Sequence, residues 1–181
     1  DPETFTMAPD ELEAAITPRT KAIMPVHLYG HAVEMEGILD LARRHGLRVV
    51  EDAAQGVGVR FRGQHVGTWG DLGCFSFFGN KTMTTGQGGM ITTNDGRLAE
   101  QCLIVKNHGR TGRATFVHEH IGYNFCFSEL QAAIGLAQMS KLDRILERKQ
   151  RNLDAYRARL GDVEQIRFPA TDPRCRAVAW F

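Results

Sequence analysis

The chain has 181 residues, 43% hydrophobic and 24% charged, enough for one substantial domain with its own core. A formal net charge of +1, with no basic stripe and no acidic tail, argues against nucleic acid or a membrane surface as partner. No apolar run reaches the length of a membrane span, and no signal-peptide pattern opens the chain.

Taken in order, Pro9-Asp10-Glu11-Leu12 opens a short helix with Leu12 and Ile16 on one face. Lys21 to Val26 reads as a strand despite Pro25. Glu36 to His45 is an amphipathic helix with Ile38, Leu39, Leu41 and Ala42 inward, and Gly46 is its C-cap. Leu47 to Val50 is the next strand and ends at Glu51-Asp52. Strand, helix, strand at this spacing predicts a βαβ unit and a parallel sheet. Short strands follow at Val57 to Phe61 and around Val66, then a buried strand from Leu72 to Phe78 and another from Met90 to Thr93. Asn94-Asp95-Gly96 turns into a helix through about Val105. Gly109 to His120 is polar and reads as an exposed loop. Ser128-Glu129-Leu130-Gln131 is a capping box ahead of a small-residue, apolar helix to Met139, fit for tight packing or for an interface. A long charged helix runs from Lys141 to Leu160, with Leu142, Ile145, Leu146, Leu153, Tyr156 and Leu160 at helical spacing. Residues 1–140 are therefore expected to belong to a large domain, and 141–181 to form a helix leading into a smaller one. The opening Asp-Pro-Glu lacks a Met, and the final Ala-Val-Ala-Trp-Phe resembles the inside of a strand; both suggest part of a longer chain.

Cys74, Cys102, Cys126 and Cys175 are scattered without C-x-x-C spacing, which suits a reducing, cytoplasmic setting. His118-Glu119-His120 has i, i+2 spacing and no completing ligands, so no metal is expected.

Lys81 is the residue whose setting points to chemistry. A strongly apolar strand delivers the chain to Gly79-Asn80 and then presents a lysine. A Schiff-base lysine needs such partial desolvation so that neutral amine exists near neutral pH. A solvated loop lysine is the plain alternative. A P-loop fails, because Lys81 does not directly follow Gly79 and the preceding loop is Phe-rich. Asp52 ends a strand, where ligands of open α/β sheets bind, and could hold a pyridine nitrogen protonated; a helix-capping aspartate is the alternative. Gln55 could bond the edge of the same ring, and Ser76 could donate to a phosphate. The Gly-rich turn Thr84 to Gly89 would let backbone approach a ligand, or is a simple hairpin connection.

Together, Val26-His27-Leu28-Tyr29-Gly30, Glu51-Asp52-Ala53-Ala54-Gln55, Phe75-Ser76-Phe77-Phe78-Gly79-Asn80-Lys81-Thr82, Thr84-Thr85-Gly86-Gln87-Gly88-Gly89, Asn107-His108-Gly109 and Gly122-Tyr123-Asn124-Phe125 resemble the DegT/DnrJ/EryC1/StrS family of sugar aminotransferases. The resemblance implies an α/β, aspartate aminotransferase-like (fold type I) large domain, with a mixed, mostly parallel sheet flanked by helices. It implies pyridoxal 5'-phosphate bound to Lys81, Asp52 on the pyridine nitrogen, Gln55 by the ring hydroxyl and Ser76 on the phosphate. Asn124 would reach the active site of a partner subunit in a homodimer, and His27 is a weaker candidate for the substrate pocket. The implied substrates are glutamate and a nucleotide-linked keto-deoxy sugar, with perosamine-type 4-amination favoured. A related branch with histidine at the Lys81 position dehydrates instead, and other relatives are regulatory. Cys126 stands where the family usually has arginine or another polar residue, which should weaken phosphate binding. Family members also extend beyond both ends of this chain, so the isolated chain is expected to be a poor cofactor binder.

Overall fold

The computed structural model describes residues 1–111 and 116–180. In chain order its elements are α1 (Pro9–Leu12), β1 (Ala22–Ile23), α2 (Met35–His45), β2 (Arg48–Asp52), β3 (Arg60–Phe61), β4 (Gln64–His65), β5 (Leu72–Ser76), β6 (Gly89–Thr92), α3 (Gly96–Lys106), α4 (Glu129–Met139), α5 (Leu142–Leu160) and β7 (Cys175–Arg176). The main sheet has the order β1-β2-β5-β6. β1 and β5 both run parallel to β2, and β6 closes the edge antiparallel to β5. This is the mixed, mostly parallel α/β sheet that the sequence implies. A smaller antiparallel sheet, β4-β3-β7, packs beside it.

The βαβ unit forms because α2 has a buried stripe and two good caps. Met35, Ile38, Leu41 and Ala42 are buried; the Glu34 side chain accepts the Gly37 N–H at 2.8 Å; Gly46 ends the helix at φ 64°. That left-handed cap costs glycine little and would strain a β-branched residue. Ile38, Leu41, Val49, Val59, Val66 and Phe61 join one core. Each such fully buried side chain contributes on the order of 1.5–3 kcal/mol.

Several sequence expectations are corrected. The strand at Lys21 to Val26 shrinks to Ala22–Ile23 plus a single bridge from Val26 to Asp52, because Pro25 has no N–H to give a ladder. Of Val57 to Phe61, only Arg60–Phe61 is strand, since Gly56 and Gly58 (φ 89°) turn the chain before it. The apolar tail 177–180 is not strand. Pairing occurs one step earlier, at Cys175–Arg176, and the Val178 N–H then bonds the Gly30 carbonyl. Residues 112–115 of the expected polar loop, and Phe181, lie outside the described residues.

The later helices are packed lightly. The Ser128 capping box forms with both of its bonds, yet α4 buries no residue, and Leu130 and Leu136 are each 74% exposed. From the expected stripe on α5, Leu146 packs on the main core and Leu142 on a smaller cluster with Val57, Phe77 and Met83. Tyr156 stays exposed. Among the described residues no helix is long and apolar enough to cross a membrane.

Candidate active site

β2 decides which side chains face the site, because successive residues point to opposite faces of a sheet. Val49 and Glu51 are buried on one face; Val50 and Asp52 take the other. Asp52 pairs laterally with Cys74, so Cys74 and Ser76, two residues on, share its face. The Cys74 thiol is pushed up by burial and by the neighbouring Asp52 carboxylate, and stays protonated there. The carboxyl ends of β2 and β5 thus bring Asp52 and Ser76 to one rim of the sheet. The Val26 bridge to Asp52 adds the end of the first strand to the same rim.

Each candidate is then held by short-range bonds. Asp52 Oδ1 accepts the Ala54 N–H at 2.9 Å. Gln55 Oε1 accepts the Tyr29 N–H at 2.6 Å, across 26 residues. A backbone N–H can only donate, so the Gln55 carbonyl must face Tyr29, and its NH2 is the group left to donate to a ligand. Tyr29 has φ 53°, a strained backbone that this bond helps to hold. Ser76 Oγ accepts the Phe78 N–H at 3.3 Å. The chain then turns through a Lys81 N–H to Phe78 O bond of 3.0 Å and presents a half-buried lysine.

Lys81 Nζ lies 4.5 Å from the centroid of the Trp180 ring. Trp180 is itself buried, and its carbonyl accepts the Lys149 ammonium at 2.6 Å. Burial holds the Lys149 amine below its ordinary range. The indole face therefore gives the Lys81 side chain an apolar, cation-tolerant wall. Sequence reading gave Trp180 and Lys149 no role, because both lie some 70 to 100 residues from Lys81 along the chain.

His27 is placed differently from the expectation that it lines a substrate pocket. It is fully buried on the opposite face, next to Glu51. Its Nδ1 accepts the Val33 N–H at 3.1 Å, so Nε2 carries the proton and donates to Glu51 Oε2 at 2.9 Å. Both ring nitrogens are committed inside the core. Glu51, unassigned in the sequence, is the centre of this network. Its oxygens also accept the N–H groups of Gly67 (2.6 Å), Trp69 (2.7 Å) and Gly70 (2.8 Å). Burial pushes its carboxyl up, but the bonds from His27, Gly70 and Gly67 outweigh this and hold it below its ordinary 4.5. A backbone turn thus docks under the strand that carries Asp52.

Asn124 belongs to another part of the fold. Its segment bridges Asn107 at the end of α3, and the exposed Cys126 thiol points to the Lys106 carbonyl at 3.6 Å. Asp52 and Ser76 end neighbouring parallel strands, and Gln55 and Lys81 follow them by three and five residues; Asn124 lies in the segment that bridges Asn107, and His27 lies in the buried core.

The whole chain, residues 1–181, matches the DegT/DnrJ/EryC1/StrS aminotransferase family. The chain belongs to this family. It is 44% identical over 172 residues to GDP-perosamine synthase of Escherichia coli O157:H7, covering 95% of this chain and 47% of that protein. It is 49% identical over 165 residues to GDP-perosamine synthase of Caulobacter vibrioides, covering 90% and 44%. It is also 45% identical over 157 residues to a pleiotropic regulatory protein of Geobacillus stearothermophilus, covering 86% and 42%. The crystal structure of S. venezuelae DesV in complex with a ketimine intermediate superposes with a TM-score of 0.91 at 37% identity, covering 99% of this chain and 48% of DesV. The chain spans about half the length of the curated relatives it matches.

Proposed function

We propose that this chain supplies the cofactor-holding edge of a pyridoxal-phosphate-dependent aminotransferase that carries an amino group from glutamate to a nucleotide-linked keto-deoxy sugar. The observation that supports the reading is that Asp52 and Ser76 end the neighbouring parallel strands β2 and β5, with Gln55 and Lys81 three and five residues beyond those strand ends. Perosamine-type 4-amination is the specific reaction proposed, in keeping with the names of the Escherichia and Caulobacter relatives. We read 1–140 as the cofactor-holding unit and 141–181 as the start of a second one, tied back to the first by Cys175 and Val178 in the shared core. A homodimer in which Asn124 completes the partner's site belongs to the same proposal, as does a cytoplasmic setting.

The residues present suit the cofactor. A half-buried amine can bond an aldehyde carbon, a carboxylate can face a pyridinium nitrogen, and an amide NH2 and a serine hydroxyl can donate to anionic oxygens. When bound, pyridoxal phosphate supplies an electron sink for a carbanion. Asp52 holds the proton on the ring nitrogen. Gln55 Nε2 fixes the ring edge, with its carbonyl already tied to Tyr29. Ser76 Oγ orients the phosphate. With the cofactor in place, the Lys81 amine would hold it and would serve as the base and then the acid that moves the proton. His27 and Glu51 act through the fold, by holding the strand under Asp52.

Asp52→Asn tests the arrangement without disturbing it, because an asparagine oxygen still accepts the Ala54 N–H. Turnover of glutamate and a GDP-linked 4-keto-6-deoxy sugar should fall by about 10²–10⁴-fold, with the melting temperature unchanged. Wild-type-like turnover in that variant would remove Asp52 from the chemistry. The Geobacillus relative's name favours one second reading, a regulatory protein. It predicts a cofactor bound at Lys81 with no transamination of any nucleotide sugar offered.

A further inference from the structure

The turn that carries Lys81 holds a second polar group with no evident purpose in the fold. Thr82 is 5% exposed, and its Oγ1 is buried without a hydrogen-bond partner among the described residues. The other threonine hydroxyls of the same loop are satisfied: Thr84 Oγ1 donates to Phe77 O at 3.1 Å and Thr85 Oγ1 to Gln87 O at 2.7 Å. A buried hydroxyl left unpaired is destabilising, and valine would fill the same space without that penalty. The fold alone therefore gives no reason for threonine at this position.

We propose that Thr82 is a further cofactor-binding residue, its hydroxyl donating to an anionic oxygen of the phosphorylated aldehyde that Lys81 bonds. The inference rests on the Lys81 reading above. It makes the Lys81-Thr82 pair act together: Nζ rests over the Trp180 indole, and the two neighbouring side chains would both contact a bound cofactor.

The test compares Thr82→Val and Thr82→Ser with wild type in the full-length protein that carries these residues, with and without pyridoxal phosphate. Thr82→Val should melt at or above the wild-type temperature without cofactor, while its Kd for pyridoxal phosphate, read by absorbance titration, rises about three- to tenfold. Thr82→Ser keeps the hydroxyl and should stay within about twofold of wild type. A Thr82→Val protein that is less stable without cofactor but binds it with unchanged Kd would show a hydroxyl already satisfied in the ligand-free fold, and would overturn the inference. Wild type that binds pyridoxal phosphate and takes a borohydride-stable label on Lys81, beside a Thr82→Val variant that binds equally well, would remove Thr82 alone. Wild type that takes no label would remove the Lys81 reading and this one with it.

Discussion

Lys81→Arg should lower transamination by about 10⁴–10⁶-fold while leaving the fold almost untouched. Arginine keeps a cation over the Trp180 ring and retains the long apolar stem, so the packing around the turn persists. What it loses is the ability to present a neutral amine, because a guanidinium does not deprotonate in proteins. Lys81→Ala removes the amine and the indole contact together, so the arginine variant separates chemistry from structure more cleanly. Circular dichroism and a melting curve on Lys81→Arg should match wild type. Residual turnover within about tenfold of wild type would mean that Lys81 is not the nucleophile.

The second large effect belongs to Glu51. Glu51→Ala strips the acceptor from the N–H groups of Gly67, Trp69 and Gly70 and from His27 Nε2 at once. Buried donors left without an acceptor are costly, and a loss of about 3–5 kcal/mol is expected, a large share of a domain's stability. The same group gives a pH signature. Its carboxyl is held below 4.5 in the folded chain, so the unfolded chain binds the proton first as pH falls. The Glu51 contribution is thus fully present above its ordinary value of 4.5 and is lost as pH falls through the lower folded value. In urea melts, wild type should weaken across that acid window. Glu51→Gln, which cannot ionise, should start less stable at pH 7 and show a flatter acid limb. Parallel acid limbs in the two proteins would contradict the assignment of Glu51 as a buried, ionised acceptor.

What the sequence made legible follows from how local each signal is. The α2 stripe, the Gly46 cap and the Ser128 capping box are complete within a few residues, and all form. The parallel pairing of β1 with β2 follows from the βαβ order, and it also forms. Asp52 and Lys81 are singled out by a strand end and by an apolar strand leading to a lysine, but the roles proposed for them rest on the resemblance of the surrounding blocks to the family. The Glu51 network was invisible for the opposite reason. Its partners are a histidine 24 residues back and backbone N–H groups 16 to 19 residues ahead, and backbone donors leave no mark in a sequence. His27 was drawn to the pocket by its place in the V-H-L-Y-G block, whereas its ring is buried and both nitrogens are tied to Val33 and Glu51. The tail at 177–180 looked like a strand because Ala-Val-Ala-Trp is an unbroken apolar run. Its Val178 N–H, however, bonds the turn at Gly30 instead of a neighbouring strand. Thr82 could not have been singled out from sequence, since only packing shows that its hydroxyl lacks a partner.

The central claim is that Lys81 bonds the cofactor, and reduction followed by peptide mapping tests it most directly. The full-length protein that carries these residues is mixed with pyridoxal phosphate, reduced with borohydride, digested and mapped by mass spectrometry. The account predicts one dominant pyridoxyl label, on the peptide that contains Lys81, and its absence in Lys81→Arg. A label spread over exposed lysines, or none on Lys81, would contradict it and leave only membership of the family and its fold.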